Sequence, residues 1–306
     1  MEKLAKQLQQ LESLAATGKL GRFLHAPSRY ISAQYLLRVS YPRTRKGMLK
    51  QVRTFFGADM EVLLPAATDI FLTGGKTHDS EIRLVKYMIK HMQPGQTYID
   101  IGAHFGYFSL LAATLVGENG KVYAFEAAKN TVAILKKNTA NFAGVKVFHN
   151  AVSDKEETIK FYEFPILYSE YNSMDIKQFS NEGWMQDYKP AETEVIAVSL
   201  DKVAAEMPRP DYIKIDVEGA EDKVIRGGKD LLNKYEPVVI MEFLSEDRLN
   251  IAHSNALQGL NDLGYKAHII NKNGKLEPVS DVKGYLKANN IDSDNIVFVK
   301  SNKHAH

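Results

Sequence analysis

The 306-residue chain is 44% hydrophobic and 25% charged, the composition of an ordinary globular protein. It has no cysteine, which excludes disulfides, thiolate metal sites, a cysteine nucleophile and methylation of pyrimidine carbon through a cysteine adduct. The net charge is only +2, so any pull on a polyanion must come from a local patch.

Residues 1–16 carry Leu4, Leu8, Leu11 and Ala15 at helical spacing, which predicts a short amphipathic helix. The N-terminus lacks the apolar core and cleavage site of a signal peptide. No window reaches the roughly 18 apolar residues that a membrane span needs. A soluble, cytoplasmic protein is the expectation, and the lack of cysteine agrees with it. Residues 20–75 mix aromatics, basic residues and turns, and read as helices and a hairpin. Between Glu12 and Asp59 there is no acidic residue but nine basic ones: Lys19, Arg22, Arg29, Arg38, Arg43, Arg45, Lys46, Lys50 and Arg53. Such a segment could attract phosphate, a nucleotide-linked sugar, an anionic lipid face or RNA, or form a solvated face.

From residue 79 the pattern changes. Asp79-Ser80-Glu81 can start a helix that ends before Pro94-Gly95. Strands are predicted over 98–101, 121–125 and 145–150, with helices over 107–116 and 129–141 between them. That alternation implies parallel strands joined by crossover helices. It breaks at about 155–200, where residues 158–162 and 194–198 alternate with period two. They predict an inserted antiparallel pair. The loop between them holds Tyr168, Tyr171, Asn172, Trp184 and Tyr188, a candidate substrate wall or a loop that packs its own aromatics. The alternation resumes with strands at 212–216, 238–242, 265–270 and 295–300 and helices near 221–227 and 255–263. The expected fold is α/β: a Rossmann-like sheet of seven strands with helices on both faces. Residues 1–77 form an appendage and 78–306 the main domain.

Asp100-Ile101-Gly102-Ala103-His104-Phe105-Gly106 lies between a strand and a helix. Gly102 suits a tight turn with close backbone approach, and Gly106 close helix-to-strand packing. A dinucleotide loop would have glycine where Asp100 stands. A carboxylate there repels a pyrophosphate and suits an ammonium and a sulfonium, which favours S-adenosylmethionine over NAD. Glu126 ends the next strand, where an acid can accept hydrogen bonds from both ribose hydroxyls; Ala127 follows it. Asn150, Ala151 and Val152, after the third strand, are placed to pack on and read an adenine. The fourth strand ends in Asp216-Val217-Glu218-Gly219-Ala220-Glu221. Methyl transfer to a hydroxyl needs a positioned base. Asp216, Glu218 and Glu242 are the catalytic candidates, with His104 a further one. The alternatives are helix capping for Glu218 and Glu221 and a structural hydrogen bond for Glu242. No metal is expected.

Ile99 through Ser109 resembles the first motif of the FkbM-type methyltransferases, and Ile213 through Glu221 resembles that family's second. Ser199-Leu200-Asp201 and Pro237 through Glu242 also fit, so the resemblance spans roughly residues 78–245. It implies a class I methyltransferase sheet with a reversed last strand and S-adenosylmethionine as methyl donor. It also implies O-methylation of sugars, polysaccharides or secondary metabolites. By position it makes Asp100, Gly102, Ala103, Gly106 and Glu126 cofactor contacts and sets Asp216 at the methyl-transfer end. His104 stands where many relatives have asparagine. The expected partner is a small-molecule or glycan acceptor, neutral or anionic; a homodimer through the N-terminal helix is the expected assembly. The competing readings are an RNA methyltransferase using the basic segment, with Phe23, Tyr30, Tyr35 and Tyr41 to stack bases, and a cofactor-binding protein without catalysis. Against RNA, the fourth strand leads into Val217-Glu218-Gly219 and no RNA-binding module is recognisable.

Overall fold

The computed structural model describes residues 2–179, 182–245, 248 and 251–300. The chain opens with helices α1 (Glu2–Ala15), α2 (Lys19–His25) and α3 (Pro27–Tyr35), which continues through a π turn at Leu36–Ser40 into α4 (Tyr41–Thr44). Strands β1 (Met48–Arg53) and β2 (Asp59–Leu64) pair as the expected hairpin, and α5 (Thr68–Thr73) follows. Helix α1 is held by Leu8 and Leu11, both buried. Each contributes about 1.5–3 kcal/mol on burial. The Glu12–Lys86 ion pair at 2.6 Å lies nearer the surface and adds about 1 kcal/mol or less.

Helix α6 (Asp79–His91) starts after His78, which makes no side-chain cap, and Asp79 and Glu81 fall in its first turn, where their charge favours the N-terminal end of the dipole. Then come β3 (Thr97–Ile101), α7 (Tyr107–Val116), β4 (Lys121–Phe125), α8 (Lys129–Thr139) and β5 (Val145–Phe148). The strand expected to run to Asn150 stops at Phe148. The chain crosses to a second sheet, where β6 (Ala151–Val152) pairs with β8 (Ala191–Val198), and β8 pairs antiparallel with β7 (Glu157–Glu163). Asn150 donates its side-chain amide to the Ile196 carbonyl at this crossing. The insertion is therefore the expected pair plus one short strand.

The chain returns through α9 (Leu200–Ala204), β9 (Tyr212–Ile215), α10 (Glu221–Gly227), α11 (Lys229–Tyr235), β10 (Val238–Leu244), α12 (Ile251–Asp262) and β11 (Tyr265–Ile270). It ends with β12 (Leu276–Pro278), α13 (Val282–Asn289) and β13 (Ser293–Lys300). The main sheet runs β12-β11-β13-β10-β9-β3-β4-β5. The seven expected strands are all present, and β12 makes an eighth at the edge. It is three residues long and follows β11 by a tight turn, too short to show a period of its own. Strand β13 runs antiparallel to both neighbours, the reversed last strand of the class I methyltransferase sheet.

Side-chain alternation sorts the sheet's two faces. Tyr98, Val122, Ile240 and Val297 pack with α6 and α7. Ile99, Ile213, Met241 and Phe298 pack with α10 through α13. The hairpin residues Val52, Met60 and Val62 share the first core. Asn138 on α8 ties the hairpin to the loop after β3, donating to the Glu61 and Phe105 carbonyls and accepting from the Glu61 amide. Strands β3 and β9 are adjacent and the chain leaves them in opposite directions along the sheet. Their carboxyl ends therefore open the crevice where ligands bind in open α/β sheets.

Candidate active site

Register sets Ile101 beside Phe125 on one side and Ile215 on the other, so β3, β4 and β9 end level. The chain turns at Gly102, with φ +83; a Cβ there would stand 1.7 Å from the Asp216 carbonyl oxygen. Only glycine permits that approach. The amides of Gly102 and Ala103 both donate to the Phe125 carbonyl at 3.0 Å, and the Asp216 amide to the Ile101 carbonyl. His104 adopts φ +48, a left-handed geometry that histidine and asparagine accept more readily than most residues. Gly106, at φ +91, faces Leu135 of α8 at 2.6 Å from its virtual Cβ. It makes room for a helix, not a strand.

Glu126 braces this loop. One carboxylate oxygen accepts from the His104 amide and the other from the Ala128 amide, both at 2.8 Å. Burial pushes its carboxyl up to about 7 against those two bonds. The His104 ring meets the Ser169 hydroxyl at 3.1 Å, and burial holds its imidazole down to about 3, so it is neutral. Asp100 is buried and accepts from Ser109 at 2.5 Å. Burial raises its carboxyl, although Lys214 draws it down.

A cavity of about 550 Å³ opens over these strand ends. Of the residues expected to hold the cofactor, Gly102, His104, Glu126, Ala127, Asn150, Ala151, Val152 and Asp216 line it. Asp100, Ala103 and Gly106 do not line it; they shape the loop that does. Asp100 is held from within the protein by Ser109. The Gly102 turn, with backbone where a side chain would stand, and the buried acid Glu126 at the cavity wall suit a nucleoside ligand.

All three catalytic candidates converge. Carboxylate oxygens of Asp216, Glu218 and Glu242 lie within 4.8 Å of one another. Strand β9 carries Lys214 two residues before Asp216, hence on the same face. The buried ammonium pairs with Asp216 at 2.8 Å. Burial raises Asp216, but Lys214 outweighs that and holds it below the usual carboxylate range. Glu242 is bonded to Asp216 and Ser293, and burial, with the Asp216 charge, pushes it up to about 8. Glu218, at φ +53, accepts from Gln178 at 3.3 Å. Burial and then Glu242 raise it well above its ordinary value. Three acids so close cannot all ionise beside one lysine. Asp216 carries the charge, and its neighbours keep their protons. A divalent cation could span such a trio, but Lys214 already supplies its countercharge. Glu221 takes the capping alternative, accepting from the Val217 and Gly219 amides.

No motif announces the opposite wall. Asp69 and Ile70 on α5, and Lys76, His78 and Glu81 around the start of α6, line the same cavity. So do Glu170, Arg248, Ser293 and Asn295. Burial opposes the Lys76 charge, yet Glu81, Glu170 and Asp69 hold its ammonium well above the ordinary range, and it donates directly to Glu81. Of Tyr168, Tyr171, Asn172, Trp184 and Tyr188 in the inserted loop, Tyr171 and Asn172 line the cavity. Trp184 stacks on Tyr168 at 4.1 Å and Tyr188 on Tyr41 at 6.4 Å, so these rings pack on one another.

Residues 100–267 match the model of the methyltransferase FkbM domain. A probable cobalt-precorrin-6B C(15)-methyltransferase (decarboxylating) of Sulfurisphaera tokodaii is 39% identical over 62 residues, 20% of this chain and 32% of that protein. The chain thus spans about a third of the length of that curated relative. A solved structure of methyltransferase FkbM from Methylobacillus flagellatus superposes with a TM-score of 0.42 at 10% identity, covering 96% of this chain and 58% of the other. Precorrin-6y C5,15-methyltransferase from Geobacter metallireducens gives 0.39 at 17% identity, covering 72% and 88%.

Proposed function

The chain belongs to the FkbM methyltransferase family, and from that premise we propose that it methylates a hydroxyl of a neutral, polyhydroxylated acceptor such as a sugar, a glycan residue or a hydroxylated secondary metabolite. S-adenosylmethionine is the cofactor; when bound, it supplies an electrophilic methyl carbon. Gly102, His104, Glu126, Ala127, Asn150, Ala151 and Val152 would hold it, and Asp216 lies between that end of the cavity and the acidic wall.

The observation that carries the reading is the Asp216–Glu242 pair, two bonded carboxyl groups facing the cavity with Lys214 behind them. An acceptor hydroxyl must give up its proton as its oxygen takes the methyl group. The pair can receive that proton once it has lost the one it shares, and Lys214 stabilises the charge meanwhile. Glu218 and Glu242 in their protonated forms can also donate hydrogen bonds to acceptor oxygens. The cavity is lined by the carboxyl groups of Asp69, Glu81, Glu126, Glu170, Asp216, Glu218 and Glu242 against the cations Lys76, Lys214 and Arg248. With Glu218 and Glu242 protonated, the remaining acids still balance the three cations, so the cavity holds no surplus of positive charge to favour an anionic acceptor, RNA included.

The test incubates the purified chain with methyl-labelled S-adenosylmethionine and a panel of neutral sugars, uronic acids, amines and bulk RNA. Label should enter neutral sugars or polyols as an alkali-stable ether. Label confined to amines, uronic acids or RNA would overturn the reading.

A further inference from the structure

We propose that α2 and α3 form a docking face that seats this chain on an anionic lipid surface. Each helix presents to solvent an apolar pair one turn apart. Leu20 and Leu24 on α2 are 71% and 67% exposed, and Ile31 and Tyr35 on α3 are 59% and 61% exposed. Side chains at i and i+4 share one face, so each pair is a stripe. The helices pack on each other and only Ala26 separates them. Large apolar groups exposed together mark a contact surface, whereas single ones do not.

The charge around these stripes selects the occupant. No acid lies in residues 13–58, and of the nine basic residues there only Arg53 has a carboxylate partner among the described residues. Lys19 and Arg38 flank the two stripes. An apolar face bordered by unpaired cations fits an anionic bilayer, where side chains enter the acyl boundary while lysine and arginine meet headgroups. Tyr35 has the amphipathic ring that settles at that depth. A second copy fits poorly, because two-fold pairing would bring the same basic segment against itself. RNA fits poorly as well, since three of the four exposed side chains, Leu20, Leu24 and Ile31, offer no ring on which a base can stack. Helix α3 packs on α5, with Arg29 donating to the Phe71 carbonyl, and Asp69 and Ile70 of α5 line the cavity. Docking would therefore hold the cavity's N-terminal wall near the membrane plane.

The test is co-sedimentation of the whole chain with vesicles of phosphatidylcholine alone or mixed with phosphatidylglycerol, at low and high salt. The expected result is binding to the anionic vesicles only, weakened by salt. Lys19→Glu with Arg38→Glu should weaken it about tenfold or more, and Leu20→Ser with Leu24→Ser should weaken it comparably. S-adenosylhomocysteine affinity should be unchanged in both variants, which shows that they are folded. Equal binding to both vesicle types, no binding, or binding indifferent to both variants would overturn the proposal. So would retention of bulk RNA in place of vesicles, or self-association abolished by the leucine variant without vesicle binding.

Discussion

The two ends of the cavity are built on different principles. The cofactor end is made of backbone: Gly102 turning against the Asp216 carbonyl, two amides on Phe125, and Glu126 holding the loop by two more. The acceptor end is made of charged side chains from distant segments, with Asp69 and Lys76 from the appendage, Glu81 from the start of α6, Glu170 from the insertion, and Glu218 and Glu242 from two strand ends. The braced loop of the first end, from Gly102 to Glu126, lies within some two dozen consecutive residues and tolerates little change in shape. The second is assembled by the fold and should tolerate changes in shape better than changes in charge. Substitutions should therefore separate binding of the cofactor from turnover of the acceptor.

The largest effect is expected at Asp216. Asp216→Asn keeps the shape but removes the charge opposite Lys214, and kcat should fall by on the order of 10²–10⁴-fold. S-adenosylhomocysteine affinity, measured by calorimetry, should change little. Next is Gly102→Ala, which sets a methyl group 1.7 Å from a backbone oxygen. Affinity for S-adenosylhomocysteine should fall by about a hundredfold or more, with a lower melting temperature, a cost of several kcal/mol at a strained position. A merely tenfold effect at Asp216 shared equally between kcat and cofactor affinity would break the comparison between the two ends.

Lys76→Gln should raise the acceptor KM by roughly tenfold while leaving cofactor affinity alone, since it leaves Glu81 and Glu170 without their buried cation. The smallest effect concerns Glu126 and stability. Burial raises its carboxyl from 4.5 to about 7 in the folded chain. The folded state thus binds this proton more tightly than the unfolded chain. Its contribution is complete below about pH 4.5 and is lost as pH rises through about 7. The melting temperature of the free protein should fall across that window, and Glu126→Gln should flatten the fall.

The same division explains what the sequence disclosed. The Asp100–Gly106 loop and Glu126 obey local rules, because a turn needing φ above zero and an acid at a strand end are visible in a few residues. The central strands likewise show as short apolar runs, because the sheet buries them on both faces. The acceptor wall has no such signature: Asp69, Lys76 and Glu170 sit in ordinary polar segments, and only tertiary packing faces them inward. One clue was present. A lysine inside the apolar strand Tyr212-Ile213-Lys214-Ile215 needs a buried partner, and Asp216 at two residues' spacing supplies it. The Tyr168–Trp184 stack shows the converse: residue type left a substrate wall and a self-packed loop both open, and these two rings pack on each other.

The account turns on the Asp216–Glu242 pair as the proton acceptor, and the pH dependence of single-turnover methyl transfer tests it most directly. Glu242 is held up to about 8, so the pair is competent only after it loses the shared proton. The rate should rise with pH and level off above about 8. Glu242→Gln should be slow, without that rise, at unaltered cofactor affinity. A wild-type rate that is flat or falls through pH 8, or a Glu242→Gln profile that keeps the same rise, would contradict the account.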